Sequence, residues 1–363
     1  MGWNSWNYFG CDVTAADVKA AADAIVSDGL VSLGYRYVNV DDCWQAPTRD
    51  SQERLRGDPV RFPDGIAALA AYVHSKGLKF GLYAAPGSRT CAERYQGYPG
   101  RLGSIGHVQQ DARTFAGWKV DYLKYDWCGA DKEHLGHEQA FAQMRAALNA
   151  TGRHIVFSIH DKPEQPTPSW RAHVSDLSRT TPDIQDSFAS VISITRATAR
   201  VPGLGAQGHW NDPDMLEIGN GGMTVAEERT HFSLWAQLAA PLLLGCDLRT
   251  APPDAVAIAG NASVIRVDQD ALGVQGHIVK SAPGTLVLTK ALAGGDSAVT
   301  VTNLTEHQLD ASIPMSELGL NASATGVELW TGARVASSTH PTVELAAHAT
   351  VMYRFTAASA PTD

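Results

Sequence analysis

Short runs of β-forming apolar residues alternate with longer segments of helical period from the N-terminus to about residue 270, and this alternation constrains the fold more than any other feature of the chain. Parallel strands need a crossover between them, and a helix is the usual one. The first cycle is the clearest. Thr14-Ala15-Ala16-Asp17 reads as a capping box that opens a helix with Val18, Ala22, Ile25, Val26 and Leu30 on one face, and Gly34 is expected to stop it. A strand at 37–40 follows and ends in Asp41-Asp42. Further apolar runs at 79–83, 120–125, 155–159, 177–179, 209–211 and 242–245, with a first strand at 3–6, bring the number of candidate strands to eight. Helical segments at 65–75, 108–117, 133–150, 188–197 and 225–239 fill most of the gaps. Eight cycles predict an α/β chain folded as a (β/α)8 TIM barrel; a doubly wound nucleotide-binding sheet would carry G-x-G-x-x-G, which is absent.

Beyond this region the texture changes. Val279, Leu286, Val299, Val327 and Val351 sit in short alternating runs split by Gly, Pro, Asn and Ser, without helical periodicity. That is the pattern of an antiparallel β-sandwich. The expected organisation is a catalytic barrel at 1–272 and a small C-terminal antiparallel β domain at 273–363. The net charge of −9 and the lack of any long Lys/Arg run argue against nucleic acid as a partner. No stretch approaches the roughly 20 apolar residues that cross a bilayer, so no membrane association is expected. Neither a C-x-x-C pair nor a Cys/His cluster of zinc spacing is present, and no metal site is expected.

Reactive residues of a (β/α)8 barrel lie at the C-terminal ends of its strands. Here those ends carry Trp6, Asp41-Asp42, Tyr83, Lys124-Tyr125-Asp126, Arg179 with Asp183 four residues on, and Asp212-Pro213-Asp214. Carboxylates and aromatics therefore gather at one mouth. Glycoside hydrolysis needs two carboxyl groups, one to attack or to polarise water at the anomeric carbon and one to protonate the leaving oxygen. Aromatic faces and further carboxylates suit the C–H surfaces and hydroxyls of a sugar.

The opening Met1-Gly2-Trp3-Asn4-Ser5-Trp6, Val40-Asp41-Asp42-Cys43-Trp44, Tyr122-Leu123-Lys124-Tyr125-Asp126, the Arg179/Asp183 pair, Trp210-Asn211-Asp212-Pro213-Asp214-Met215 and the segment 241–247 together resemble glycoside hydrolase family 27, the α-galactosidases of clan D. Six motifs occur in order across the barrel. The resemblance implies a retaining, exo-acting hydrolase of terminal α-D-galactosyl residues, with Asp126 matching the nucleophile and Asp183 the general acid/base. It implies that Trp6, Asp41, Asp42, Tyr83, Lys124, Arg179 and Asp214 line the sugar subsite, and that no cofactor is needed. It also pairs Cys11 with Cys43 and Cys91 with Cys128, leaving Cys246 unpaired. Such disulfides favour a secreted enzyme, although the first residues carry no signal sequence.

The residues themselves add detail. Lys124 and Asp126 are two apart on a strand, so they share a face, and the ammonium there is expected to keep the carboxylate ionised. A guanidinium beside a general acid would lower a pKa that should be raised, so Arg179 is read as contacting a sugar hydroxyl or the nucleophile rather than Asp183. Asp41 and Asp42 suit two neighbouring hydroxyls such as O4 and O6 of galactose. The chain departs from the family at two places. His160-Asp161-Lys162 replaces Cys-Glu-Trp in the loop that reads the C2 substituent, and Tyr83-Ala84-Ala85 replaces Tyr-x-Asp. His160 is read as a pocket wall and, with Asp161, as facing C2; His107, His134 and His137 are read as solvated. Trp3, Trp44, Trp118 and Trp210 are expected in packing. Sequons at Asn149, Asn261, Asn303 and Asn321 are given no weight. The alternatives are a β-L-arabinopyranosidase, against which the short Asp42 argues by leaving room for a C6 hydroxymethyl, an α-N-acetylgalactosaminidase, and a non-catalytic galactose-binding protein.

Overall fold

Thr14 and Asp17 form the expected capping box: the Thr14 amide donates to Asp17 Oδ2 at 2.9 Å and the Asp17 amide to Thr14 Oγ1 at 3.3 Å. The helix they open, Ala15–Ser27, buries Val18, Ala22 and Ile25. It ends earlier than expected. The chain turns at Gly29 (φ 73°), a short 3₁₀ turn Leu30–Leu33 buries Leu30 separately, and Val26 is left exposed. A left-handed residue two past the last helical position stops the helix before Gly34 is reached.

The computed structural model describes residues 1–161, 167–201, 208–282, 284–313, 315–320, 324–335 and 342–356, so Lys162 and Asn321 lie outside the described residues. The chain forms two compact units, residues 1–182 with 243–251, and 183–242 with 252–363.

Eight short strands alternate with helices: β1 (Gly2–Asn4), β2 (Tyr37–Asn39), β3 (Lys79–Ala84), β4 (Tyr122–Asp126), β5 (Val156–His160), β6 (Leu177–Arg179), β7 (Trp210–Asp212) and β8 (Leu243–Leu244). All but β7 belong to the first unit, where they run β6-β5-β4-β3-β2-β1-β8 with every pair parallel. This is the strand–helix alternation of a (β/α)8 barrel, and the register fixes which functional side chains meet. Tyr83 lies opposite Lys124 on β3 and β4, and Asp126 lies opposite His160 on β4 and β5. Gly81 serves the interior, since a Cβ there would fall 2.0 Å from Asn39 Oδ1.

The second unit joins helices Phe188–Thr198, Val225–Gln237, Pro253–Ala259 and Ala262–Asp268 to the C-terminal sheets. Those sheets comprise β9 (His277–Ala282), β10 (Thr285–Ala291), β11 (Ser297–Asn303), β12 (Leu309–Ser312), β13 (Gly326–Glu328), β14 (Arg334–Val335), β15 (Thr342–Leu345) and β16 (Thr350–Phe355). A six-stranded sheet of order β14-β13-β16-β11-β10-β9 and the pair β12-β15 are antiparallel. Between them Val287, Val299, Val301, Ile313, Leu345 and Phe355 form the core. Buried Lys290 on β10 donates to the carbonyls of Ala236 and Val267, near the C-terminal ends of two helices, where a cation suits the helix dipole. Gln237 adds bonds to the carbonyls of Leu288 and Ala298. Two sequon asparagines have structural work: Asn261 caps a helix through the amides of Ser263 and Val264, and Asn303 donates to His307, Leu345 and Ala346. Among the described residues no helix is long and apolar enough to cross a membrane.

Candidate active site

Strand β1 ends at Asn4, two residues before the expected Trp6, and the shift has a purpose. Asn4 is buried; its Oδ1 accepts the Trp6 amide and its Nδ2 donates to Asp41 Oδ2, each at 2.8 Å. Trp6 opens a short helix with its ring partly exposed, whereas Trp3 and Trp44 are fully buried and bonded to the carbonyls of Cys246 and Tyr83.

Asp41 is 2% exposed and receives three donors: Asn4, the Asp42 amide at 2.9 Å, and the Lys124 ammonium at 2.8 Å. The ammonium expected to serve Asp126 is thus bonded first to Asp41, while it also lies 5.4 Å above the Tyr83 ring. Asp42 accepts from the amides of Cys43 at 2.7 Å and Ala92 at 2.8 Å. Burial pushes its pKa up to about 7, with the neighbouring Asp41 charge adding to the shift and the two amides opposing it. The Thr90 side chain is a further hydrogen-bond partner of Asp42.

Asp126 has a different partner at each oxygen. The Tyr83 hydroxyl donates to Oδ2 at 3.2 Å, and His160 Nδ1 lies 3.4 Å from Oδ1. Burial pushes the Asp126 pKa up, but His160, then Lys124 and Arg179, outweigh it and bring the value down to about 2. The carboxylate is therefore charged at any ordinary pH, as a nucleophile must be. Lys124 does contribute, as the sequence suggested, but behind the residue directly across the strand. Arg179 is 3% exposed and acts on Asp126. Burial and the charges of Asp126, Asp42 and Asp41 push the Tyr83 phenol well above its usual range, which keeps it a donor.

Disulfides join Cys11 to Cys43 and Cys91 to Cys128, and Cys246 is a buried thiol. Their separations of 32 and 37 residues correspond to about 3 to 4 kcal/mol each in the chain-entropy model. The second bridge borders Asp126, with Cys128 Sγ 3.0 Å from the Tyr83 hydroxyl that donates to it. Cys91, Asp126 and Cys128 are the only grouping of metal-ligand type among the described residues, and both its sulfurs are in that disulfide.

Asp161 sits in a separate network. Arg171, fully buried, donates to its Oδ2 at 2.8 Å, and His137 bonds to its Oδ1. His137 stacks on Trp127 at 3.8 Å, so it is not the solvated residue the sequence suggested. Nothing in the spacing marks His137 and Arg171 as the partners of Asp161, because they come from different helices.

In the second unit, Asp183 is an exposed carboxyl group. The next residue, Ile184, donates its amide to Asp214 Oδ2 at 2.9 Å. Asp214 takes a positive φ of 90°, held by its own amide on Asp212 Oδ1 and by Trp235 Nε1 on its carbonyl, both at 2.8 Å. The Asp-Pro-Asp turn therefore aims a buried carboxylate at the backbone that carries Asp183.

Two family models match the chain: Alpha galactosidase A over residues 1–270, and Alpha galactosidase C-terminal beta sandwich domain over residues 283–355. An alpha-galactosidase of Cyamopsis tetragonoloba is 43% identical over 361 residues, covering 98% of this chain and 85% of its own. An alpha-N-acetylgalactosaminidase of Gallus gallus is 40% identical, covering 89% of this chain and 84% of its own. The crystal structure of alpha-galactosidase I from Mortierella vinacea superposes with a TM-score of 0.92 at 32% identity, covering 99% of this chain and 98% of that one.

Proposed function

Since the chain belongs to the Alpha galactosidase A family, glycoside hydrolase family 27, we propose that Asp126 is the nucleophile and Asp183 the general acid/base of this retaining α-galactosidase. The protein is a glycoside hydrolase with a (β/α)8 barrel and a C-terminal β-sandwich domain. It removes terminal α-D-galactosyl residues from oligo- or polysaccharides. The observation that carries the residue assignment is the state of Asp126: a shielded carboxylate held ionised, with one oxygen on Tyr83 and the other beside His160.

In the first step an Asp126 oxygen attacks C1, the bond from C1 to the glycosidic oxygen breaks, and Asp183 gives its proton to that oxygen so that the aglycone leaves as an alcohol, forming a galactosyl ester of inverted configuration. In the second, water attacks C1, Asp183 takes the water proton, and the bond to Asp126 breaks, which restores the original anomer. Asp41 and Asp42 are the grips for O4 and O6, oriented by Asn4, Lys124 and the two backbone amides. Trp6 offers an aromatic face to the ring, and Arg179 and Asp214 complete the subsite, Asp214 also holding the segment of Asp183. The functional division runs 1–272 for the barrel and 273–363 for the β domain. The two disulfides suit export, and secretion is the proposed location.

A panel of nitrophenyl glycosides tests the reading. The α-galactoside should be cleaved fastest, ahead of the β-L-arabinopyranoside and the α-N-acetylgalactosaminide. A higher kcat/KM for either of the others would refute galactose as the sugar recognised.

A further inference from the structure

His160 stands where the family pattern has cysteine, so this chain places an imidazole at that position. The register of β4 and β5 sets it directly opposite Asp126. His160 Nδ1 is 3.4 Å from Asp126 Oδ1, and the side chains are only 16% and 13% exposed. The Tyr83 hydroxyl takes the other oxygen, so the two oxygens are attended from two different strands. Among the charged groups around the pair, Lys124 and Arg179 also act on Asp126, and each has a further bond. Lys124 on β4 is bonded to Asp41, Arg179 on β6 donates to the carbonyl of Thr181, and Asp161 is held by Arg171 and His137. By register and distance His160 faces the reacting carboxylate.

An N–H donor or an imidazolium interacts more strongly with a full negative charge than with a neutral ester oxygen. Resting on the reading of Asp126 as nucleophile, we propose that His160 is a positioning residue that favours the free Asp126 carboxylate over its galactosyl ester, speeding breakdown of the intermediate and slowing its formation. In that breakdown the water oxygen bonds to C1, the bond from C1 to the Asp126 oxygen breaks with its electron pair returning to the carboxylate, and the water proton passes to Asp183. His160 meets the returning charge. The motif position suggests a contact at C2 of the sugar; the contact seen is with Asp126.

The test is pre-steady-state and steady-state kinetics of His160→Ala and His160→Gln with 4-nitrophenyl α-galactoside. Loss of the His160 contact with the charged carboxylate should lower kcat of His160→Ala by roughly 10-fold with a still larger fall in KM, so that kcat/KM rises. A burst of nitrophenol should accompany it. His160→Gln, which keeps an N–H donor, should fall between. In acid-quenched samples the galactosyl group should be found on the peptide containing Asp126. Equal falls in kcat and kcat/KM without a burst would overturn the proposal, as would a loss confined to substrates bearing a C2 hydroxyl when compared with the 2-deoxygalactoside. Labelling the unaltered protein with a fluorinated galactosyl fluoride separates the two failures. Label on the Asp126 peptide with no burst in the variants removes only the role of His160, whereas label on another carboxylate removes the nucleophile assignment and the proposal with it.

Discussion

Replacing Lys124 by methionine removes the only cation, among the described residues, that donates to a nearly fully buried carboxylate. Asp41 is 2% exposed and accepts from Asn4 Nδ2, the Asp42 amide and the Lys124 ammonium, at 2.8, 2.9 and 2.8 Å. Without Lys124 the first two remain, both neutral, so a buried negative charge is left without its counter-ion. Breaking a buried pair from one side typically costs about 3 to 5 kcal/mol, a large part of the roughly 5 to 15 kcal/mol that holds a folded domain. The methionine stem keeps most of the packing, including contact with the Tyr83 ring, so the loss is electrostatic. Denaturant unfolding of Lys124→Met should show a clear drop in midpoint. Adding Asp41→Asn should recover part of it, because no charge then remains to be compensated, and the coupling between the two changes should be about 2 kcal/mol. If Lys124→Met lies within about 0.5 kcal/mol of the parent, or the two changes simply add, Lys124 is not the counter-ion of Asp41 and the reasoning fails.

Asp42→Glu pushes one more methylene into the space for the C6 hydroxymethyl, so the galactoside to arabinopyranoside ratio of kcat/KM should fall by roughly 10-fold or more; equal losses on both substrates would show that Asp42 does not read C6. Asp214→Ala frees the Ile184 amide and loosens the segment of Asp183. Its loss of activity should be at least about 10-fold larger on sugar leaving groups, which need protonation, than on dinitrophenol, while Asp214→Asn, which keeps an acceptor, should lose little. Two carboxylates of the site with displaced pKa values act oppositely on stability. Asp126, lowered to about 2 from 3.8, contributes stability that is present above pH 4 and disappears as the pH falls from about 4 to 2. Asp42, raised to about 7, holds its proton longer folded than unfolded, so its contribution declines as the pH climbs from about 4 to 7. Unfolding midpoints of Asp42→Asn should accordingly fall less steeply than those of the parent between pH 4.5 and 7.5, and parallel slopes would show that Asp42 ionises normally.

The strand ends were legible because each apolar run stops at a polar or aromatic residue, as at Asp41-Asp42 and Asp126, and the register then had little freedom. The end of the first long helix was not. Apolar residues continue in helical spacing past Ser27, and only the left-handed turn at Gly29 divides them. Sequence spacing put Lys124 on the face of Asp126, yet a long flexible side chain chooses its partner in three dimensions, and Asp41 offers the buried acceptor. His137 looked like one more surface histidine; its engagement comes from a neighbouring strand end and a stacked Trp127, neither of which leaves a periodic trace. Asp214 was read as lining the sugar, and its bond to the Ile184 amide depends on a turn with positive φ that the Asp-Pro-Asp spelling alone does not reveal.

The account stands on a covalent ester at Asp126, and the anomer of the first galactose released reports on it most directly. Proton NMR of a fresh digest of an α-galactoside, recorded before mutarotation, should show α-galactose forming first and the β anomer appearing only later. Initial release of β-galactose would mean direct attack by water, and Asp126 would then not be a nucleophile.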